Sequence, residues 1–169
     1  MKIDVLKVGY LETNCYILRK DKETIIIDPG DQYEDIVNII GNSKLVGILV
    51  THYHDDHIGA LKRLEDHYGI KANAYHNSNI TVIDVPGHTN DSKIFYFKKE
   101  GIMFVGDFIF KGSIGRTDLG GNNKDMASSI LKILKYPNVL IYPGHGDSTT
   151  LDMERDNLKY FYNYLKVSE

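Results

Sequence analysis

The stretch THYHDDH, Thr51 to His57, sets three histidines and two aspartates side by side. Neighbouring carboxylates repel each other, and imidazole adds little to helix or strand stability. A fold that keeps such a stretch must hold it rigidly at the end of some element and put it to use. His52 and His54 are two residues apart, so on extended backbone they project to the same side. His57 lies three residues beyond His54, where a helix is predicted to begin, and can turn back towards the same space. Asp56 adds a carboxylate beside it. Imidazole nitrogen with carboxylate oxygen suits zinc, iron or manganese; calcium and magnesium prefer oxygen alone.

Whether the chain can support such a cluster depends on its core. With 169 residues, 42% hydrophobic and 25% charged, it reads as one domain, 1–169, able to bury a core. Short apolar runs alternate with turn signals. NCYILR and ETIIID read as a hairpin across KDKE. DQYEDIVNIIG reads as a helix stopped by Gly41. LVGILV reads as a buried strand, and DDHIGALKRLEDHYG as one continuous helix closed by Gly69. NITVIDV, the pair KIFYF and IMFVG, and VLIY read as further strands. DMASSILKIL and LDMERDNLKYFYNYLK read as helices. The order predicts a layered α/β domain.

The later strands share one property. LVGILV runs into the histidine cluster, NITVIDV into His88, IMFVG into Asp107, and VLIY into His145. Each delivers a histidine or aspartate at its C-terminal end, where a rigid strand fixes the position of the next residues. His52, His54, Asp56, His57, His88, Asp107 and His145 make seven candidate ligands. One zinc takes about four. Seven are too many for one ion and fit two, with a shared aspartate and a bridging water.

Other reactive residues read differently. His67 sits on a charged helix face and His76 in a polar loop, so both are expected outside the site. Cys15, the one cysteine, lies in an apolar strand and reads as core, not nucleophile. The tyrosines of YFYNYL read as helix packing and rim, not as a binding platform. The formal net charge of −3 argues against nucleic-acid binding. No run approaches the roughly 20 apolar residues of a membrane span, and MKIDVLKVGY lacks the apolar core of a signal peptide, so the expected location is cytoplasmic.

HYHDDH, GHT, GD and GHG together resemble the signature of the metallo-β-lactamase superfamily, and within it the glyoxalase II-like hydrolases. The resemblance runs from NCYIL and IIDPG to the last PGHGDSTT. It implies an αββα sandwich of two mixed sheets flanked by helices. It also implies that one metal takes His52, His54 and His88, the other Asp56, His57 and His145, and that Asp107 bridges them. Asp28 of IIDPG matches an aspartate that supports the ligands from behind. The segment GDFIFKGSIGRTDLGG places Arg116 where a substrate-contacting base is expected.

The chemistry implied is hydrolysis of a thioester of the S-lactoylglutathione (hydroxyacylglutathione) type. Asp56 and Asp107 are the catalytic carboxylates, and two divalent metals, zinc with iron or manganese as alternatives, are the cofactors. A thiolate leaving group of pKa about 8.5 departs with little protonation, which fits the lack of a separate general acid. The rival readings are a mononuclear-iron persulfide dioxygenase, a hydrolase of another ester or lactone, and a non-catalytic metal-binding module.

Overall fold

The computed structural model describes residues 1–167. The chain forms two compact units, Met1–Asn77 and the remainder from Ser78 onward.

The first unit is built on a four-stranded sheet ordered β1 (Lys2–Val8), β2 (Thr13–Lys20), β3 (Glu23–Ile27) and β4 (Lys44–Leu49). β2 and β3 form the expected hairpin, pairing Lys20 with Glu23 across Asp21 and Lys22. Asp21 takes the left-handed conformation (φ 55°) that so tight a turn needs. β3 and β4 are parallel, so the chain must cross over between them. Helix α1 (Tyr33–Ile40) makes that crossing and buries Ile36 and Ile40 against Cys15, Ile17, Ile26 and Ile48. β1 is not among the strands expected from the sequence. Its apolar residues are mostly half-exposed, and pairing with β2 along its whole length makes it a strand.

The continuous helix expected over DDHIGALKRLEDHYG is two helices, α2 (Asp55–Ile58) and α3 (Leu61–Tyr68). The break falls at Gly59 and Ala60. Ala60 donates its backbone N–H to the carbonyl of Pro29 at 2.9 Å, outside any helical ladder. Gly59 packs so closely on Gly30 that a Cβ would lie 2.2 Å from the Gly30 carbonyl oxygen. The loop after β3 thus clamps the short helix that carries Asp56 and His57.

The second unit holds a five-stranded sheet ordered β11 (Thr149–Thr150), β10 (Leu140–Pro143), β7 (Ile102–Gly106), β6 (Lys93–Phe97) and β5 (Ile80–Asp84). β7 and β10 are parallel; the other neighbours are antiparallel. Helix α4 (Asn123–Leu134) connects the parallel pair, its first turn capped by the Asn122 side chain on the N–H of Asp125 at 2.8 Å. Helix α5 (Leu151–Val167) ends the described chain. Met103, Val105, Ile130, Ile133, Ile141 and Leu158 belong to this unit's core. A small hairpin, β8 (Ile109–Phe110) with β9 (Ser113–Ile114), follows Asp107. β8, β9 and β11 are two residues each, too short to show periodicity in the sequence. Among the described residues no helix is long and apolar enough to cross a membrane.

Gly30 tests the clamp. Its hypothetical Cβ would meet the Asp56 carbonyl oxygen at 1.8 Å, backbone against backbone. Gly30→Ala is expected to cost about 3 kcal/mol or more in urea unfolding, at the upper end of overpacking effects. Gly69→Ala is the control. Gly69 has φ +68° but open space around it, so only the left-handed backbone is penalised, by about 1–2 kcal/mol.

Candidate metal centre

In the first unit, five of the predicted residues converge. β4 ends at Leu49, and Thr51 and His52 follow it directly into a buried position. The rings of His52 and His54 lie 4.9 Å apart, and those of His52 and His57 4.1 Å apart. Asp56 Oδ2 lies 3.3 Å from His57 Nε2. Asp28, His52 and His57 each bring a candidate ligand atom within 4.8 Å of the others. Asp28 is nonetheless the wrong carboxylate for a ligand, because its oxygens are engaged. They accept the Thr51 N–H at 2.8 Å, the Thr51 hydroxyl at 2.6 Å and His57 Nδ1 at 2.8 Å. Asp28 instead holds Thr51 and His57 in place.

These bonds settle the tautomers. A carboxylate can only accept, so His57 carries its proton on Nδ1 and turns the Nε2 lone pair outward. The Thr51 hydroxyl donates to Asp28, so its oxygen accepts from His52 Nδ1 at 3.1 Å. His52 too has Nε2 as its candidate ligand atom.

In the second unit the remaining three converge. His88 follows β5 through Pro86 and Gly87, Asp107 follows β7, and His145 follows β10. His88 Nδ1 donates to the carbonyl of Arg116 at 2.7 Å, which again makes Nε2 the candidate ligand atom. His88 Nε2 and His145 Nε2 lie 3.5 and 3.4 Å from one atom, Asp107 Oδ2. Gly115 makes this packing feasible, since a Cβ there would sit 1.8 Å from the Asp107 carbonyl oxygen and 3.0 Å from His88 Nδ1.

The donors suit a transition metal. Two ligands on one tetrahedral zinc, with bonds of about 2.0–2.1 Å, are separated by about 3.3 Å. The Asp56–His57, Asp107–His88 and Asp107–His145 contacts all lie at 3.3–3.5 Å. Asp107 Oδ2 thus lies at nearly the same spacing from both imidazoles.

Several supporting residues escaped the sequence reading. Thr13 is fully buried and donates its hydroxyl to Asp56 Oδ2 at 2.9 Å. Asn73, with φ 59°, accepts the Val50 N–H at 2.8 Å and donates to the Val50 carbonyl at 3.2 Å, steadying the backbone two residues before His52. Buried Glu154 on α5 accepts the Gly112 N–H at 2.8 Å and the Thr149 hydroxyl at 2.6 Å, tying the hairpin after Asp107 to the strand after His145. Only the spacing of Glu154 from Leu151 and Leu158, on the buried face of α5, could have signalled any of these in advance.

The other two histidines lie outside the cluster. His67 is exposed, bonded to the Tyr33 hydroxyl at 2.6 Å and stacked on Tyr68. His76 is exposed in a loop. Cys15 is buried, and burial, with the Asp28 charge adding to it, pushes its thiol far above the usual range, so it is no nucleophile. Tyr162 and Phe161 pack on the second core, while Tyr160 and Tyr164 are exposed. Arg116 is exposed and forked onto Asp118, with Nε–Oδ1 at 2.6 Å and a terminal nitrogen to Oδ2 at 2.7 Å.

A family model described as the metallo-beta-lactamase superfamily matches residues 8–78 and 78–145. The chain belongs to the metallo-β-lactamase superfamily. Its two mixed sheets with helices are the fold of that superfamily. It is 30% identical to a probable metallo-hydrolase of Bacillus subtilis, YqgX, with 92% of this chain and 95% of the relative covered. It is 28% identical to the hydroxyacylglutathione hydrolase GloC of Haemophilus influenzae, covering 92% and 95%. Among solved structures, the B3 metallo-β-lactamase BLEG-1 matches with a TM-score of 0.85 at 29% identity, covering 95% of this chain and 99% of that one. TTHA1623 in a di-iron-bound form matches with a TM-score of 0.82 at 26% identity, covering 89% and 96%.

Two outcomes test the site as built. Asp28→Asn removes an acceptor that fixes His57 and Thr51, and should weaken metal binding about 10–100-fold in a chelator competition while His67→Ala leaves it unchanged. The Arg116 fork holds the Asp118 carboxyl down, to about 2. A depressed carboxyl contributes stability that is present above its unfolded pKa of about 3.9 and is lost as pH falls towards about 2; exposure of both partners keeps that contribution small. NMR titration should place the Asp118 midpoint near 2, and Arg116→Ala should return it to about 3.9.

Proposed function

We propose that this protein is a binuclear metal-dependent hydrolase that cleaves thioesters of the S-lactoylglutathione type. The observation that carries the reading is Asp107, whose Oδ2 faces His88 and His145 at near-equal distances, as a shared ligand would. The resemblance to a hydroxyacylglutathione hydrolase supports the substrate class. The di-iron relative supports two metals per chain. In this reading His52, His54 and His88 would hold one metal, Asp56, His57 and His145 the other, and Asp107 would serve both. Zinc fits the donors, and iron or manganese fits them as well.

When bound, such metals supply an acidified water and polarise the substrate carbonyl. The chain's residues do the rest. His52, His57 and His88 are held at Nδ1, so their Nε2 lone pairs stay fixed. Asp56 and Asp107 are the carboxylates that can take up the proton released when water attacks. Thr13 holds Asp56 in one orientation for that purpose. The leaving thiolate needs little protonation at a pKa of about 8.5, so no separate acid is required. Arg116 reads the carrier of the thioester. The substrate is a small molecule, and no nucleic acid takes part.

Elemental analysis of protein purified without chelator should give up to two transition metals per chain. A panel of S-lactoylglutathione, a lactone, a phosphodiester and a β-lactam should show turnover of the thioester above the others. Asp107→Ala should lose both metals and all turnover, and His67→Ala neither. A single iron with oxygen consumption would replace this reading by the dioxygenase; preference for the β-lactam would replace it by a lactamase.

A further inference from the structure

Helix α5 has two faces. Leu151, Glu154, Leu158 and Leu165 form one, buried in the second unit. Met153, Asn157, Tyr160, Tyr164 and Val167 form the other, and all five are exposed. Its apolar members reach far into solvent: Met153 is 64% exposed, Tyr160 65%, Tyr164 61% and Val167 85%. Single exposed apolar side chains are ordinary, but these four are not scattered. The spacing from Met153 to Val167 runs four, three, four and three residues. That repeat keeps all five on one stripe and is the one by which two helices pack along each other. Tyr160, at its middle, is already steadied, with its ring edge to face against Phe161 at 5.4 Å between centroids. Asn157 is the polar member, its amide 3.4 Å from Glu154 Oε1. A polar residue inside such a seam costs stability and fixes register.

The charges beside the stripe say what fits it. Asp152, Asp156, Lys159 and Lys166 project along the same flank of the helix. The aspartates lie beside its first half and the lysines beside its second. A second α5 laid end for end brings the acidic half against the basic half twice, about a two-fold axis. The same helix laid parallel opposes like charges. An anionic membrane surface fits less well, because the two aspartates and the formal net charge of −3 oppose it. Asp152 is already paired with Arg155 at 2.8 Å, so Asp156 is the carboxylate that reads the arrangement most cleanly.

We propose that the outer face of α5 is a self-association surface, on which two copies of the chain pair their α5 helices antiparallel along the stripe from Met153 to Val167. The helix has 17 residues and is about 25 Å long. One helix pair of that length buries less than the roughly 800 Å² a side of a standard interface, so the dimer is weak and reversible.

The test is sedimentation of the metal-loaded full chain at low ionic strength, with thermal unfolding of every variant to show that it is folded. The mass of wild type should rise from one chain towards two between about 10 and 500 μM. Tyr160→Glu should hold the protein at one chain throughout that range. Asp156→Lys should weaken association about tenfold, since each attraction becomes a repulsion in both symmetry-related places. Asp156→Lys combined with Lys166→Asp should restore wild-type association to within about threefold. A wild type that stays at one chain, or association that Tyr160→Glu leaves unchanged, would overturn the surface. A double reversal no stronger than Asp156→Lys alone would overturn the antiparallel pairing. Sedimentation with vesicles of anionic lipid, by a protein that stays at one chain without them, would replace the second copy by a membrane.

Discussion

An imidazole offered to a metal is usually fixed through its other nitrogen, and the candidate site depends on how that is done for His52, His57 and His88. His57 and His52 are held at Nδ1 through one buried device, the Asp28 carboxylate with the Thr51 hydroxyl on it. His88 is held by a backbone carbonyl, that of Arg116. In each case the partner is an acceptor, so the proton stays on Nδ1 and the lone pair stays on Nε2. The arrangement also explains why a carboxylate can stand at the buried position 28. Three donors satisfy it, and a carboxylate with three donors is tolerable where a bare one is not.

The backbone brings these groups to their places by extending parallel strand pairs slightly beyond their ends. Asp28 N–H bonds to the Leu49 carbonyl at 3.0 Å, just past the β3–β4 pairing, and sets Asp28 beside Thr51. Gly144 N–H bonds to the Gly106 carbonyl at 2.8 Å, just past the β7–β10 pairing, and sets His145 beside Asp107. The same logic works in both units. A parallel pair places both of its C-terminal ends at one edge, and the residues immediately beyond inherit the rigidity of the ladder. Where helix or loop must press on that edge, glycine stands at the contact: Gly30 on Asp56, and Gly115 on Asp107.

The cleft lined by Ile114, Arg116, Asp118, Phe161 and Tyr164 shares a residue with that support. Arg116 lends its carbonyl to His88 and its side chain to Asp118, so one residue joins the support of a candidate ligand to the wall of the cleft. Its backbone role is independent of side-chain identity, whereas its side-chain role is not. A change at Arg116 can therefore alter the cleft without disturbing His88.

Much of this was legible in the sequence. The seven candidate ligands are chemically distinctive, and each follows an apolar run short enough to be a strand, so their identity and their placement at strand ends could both be read. The hairpin over Asp21 and the helices at Tyr33–Ile40 and Asn123–Leu134 arise from local periodicity and turn chemistry, which involve near neighbours only. What the tertiary structure alone decided involves distant partners. Thr13 and Asp56 are 43 residues apart, Asp28 and His57 are 29 apart, and His88 and Arg116 are 28 apart. No local pattern marks a threonine or a carbonyl as a histidine's support. The break between α2 and α3 was hidden for the same reason, since the periodicity of Ile58, Leu61 and Leu64 is helical, and only the Pro29 carbonyl and the Gly30–Gly59 contact, brought in from another part of the chain, interrupt it. Side-chain chemistry is written in the sequence; which groups become neighbours is set by how the sheets and crossings close.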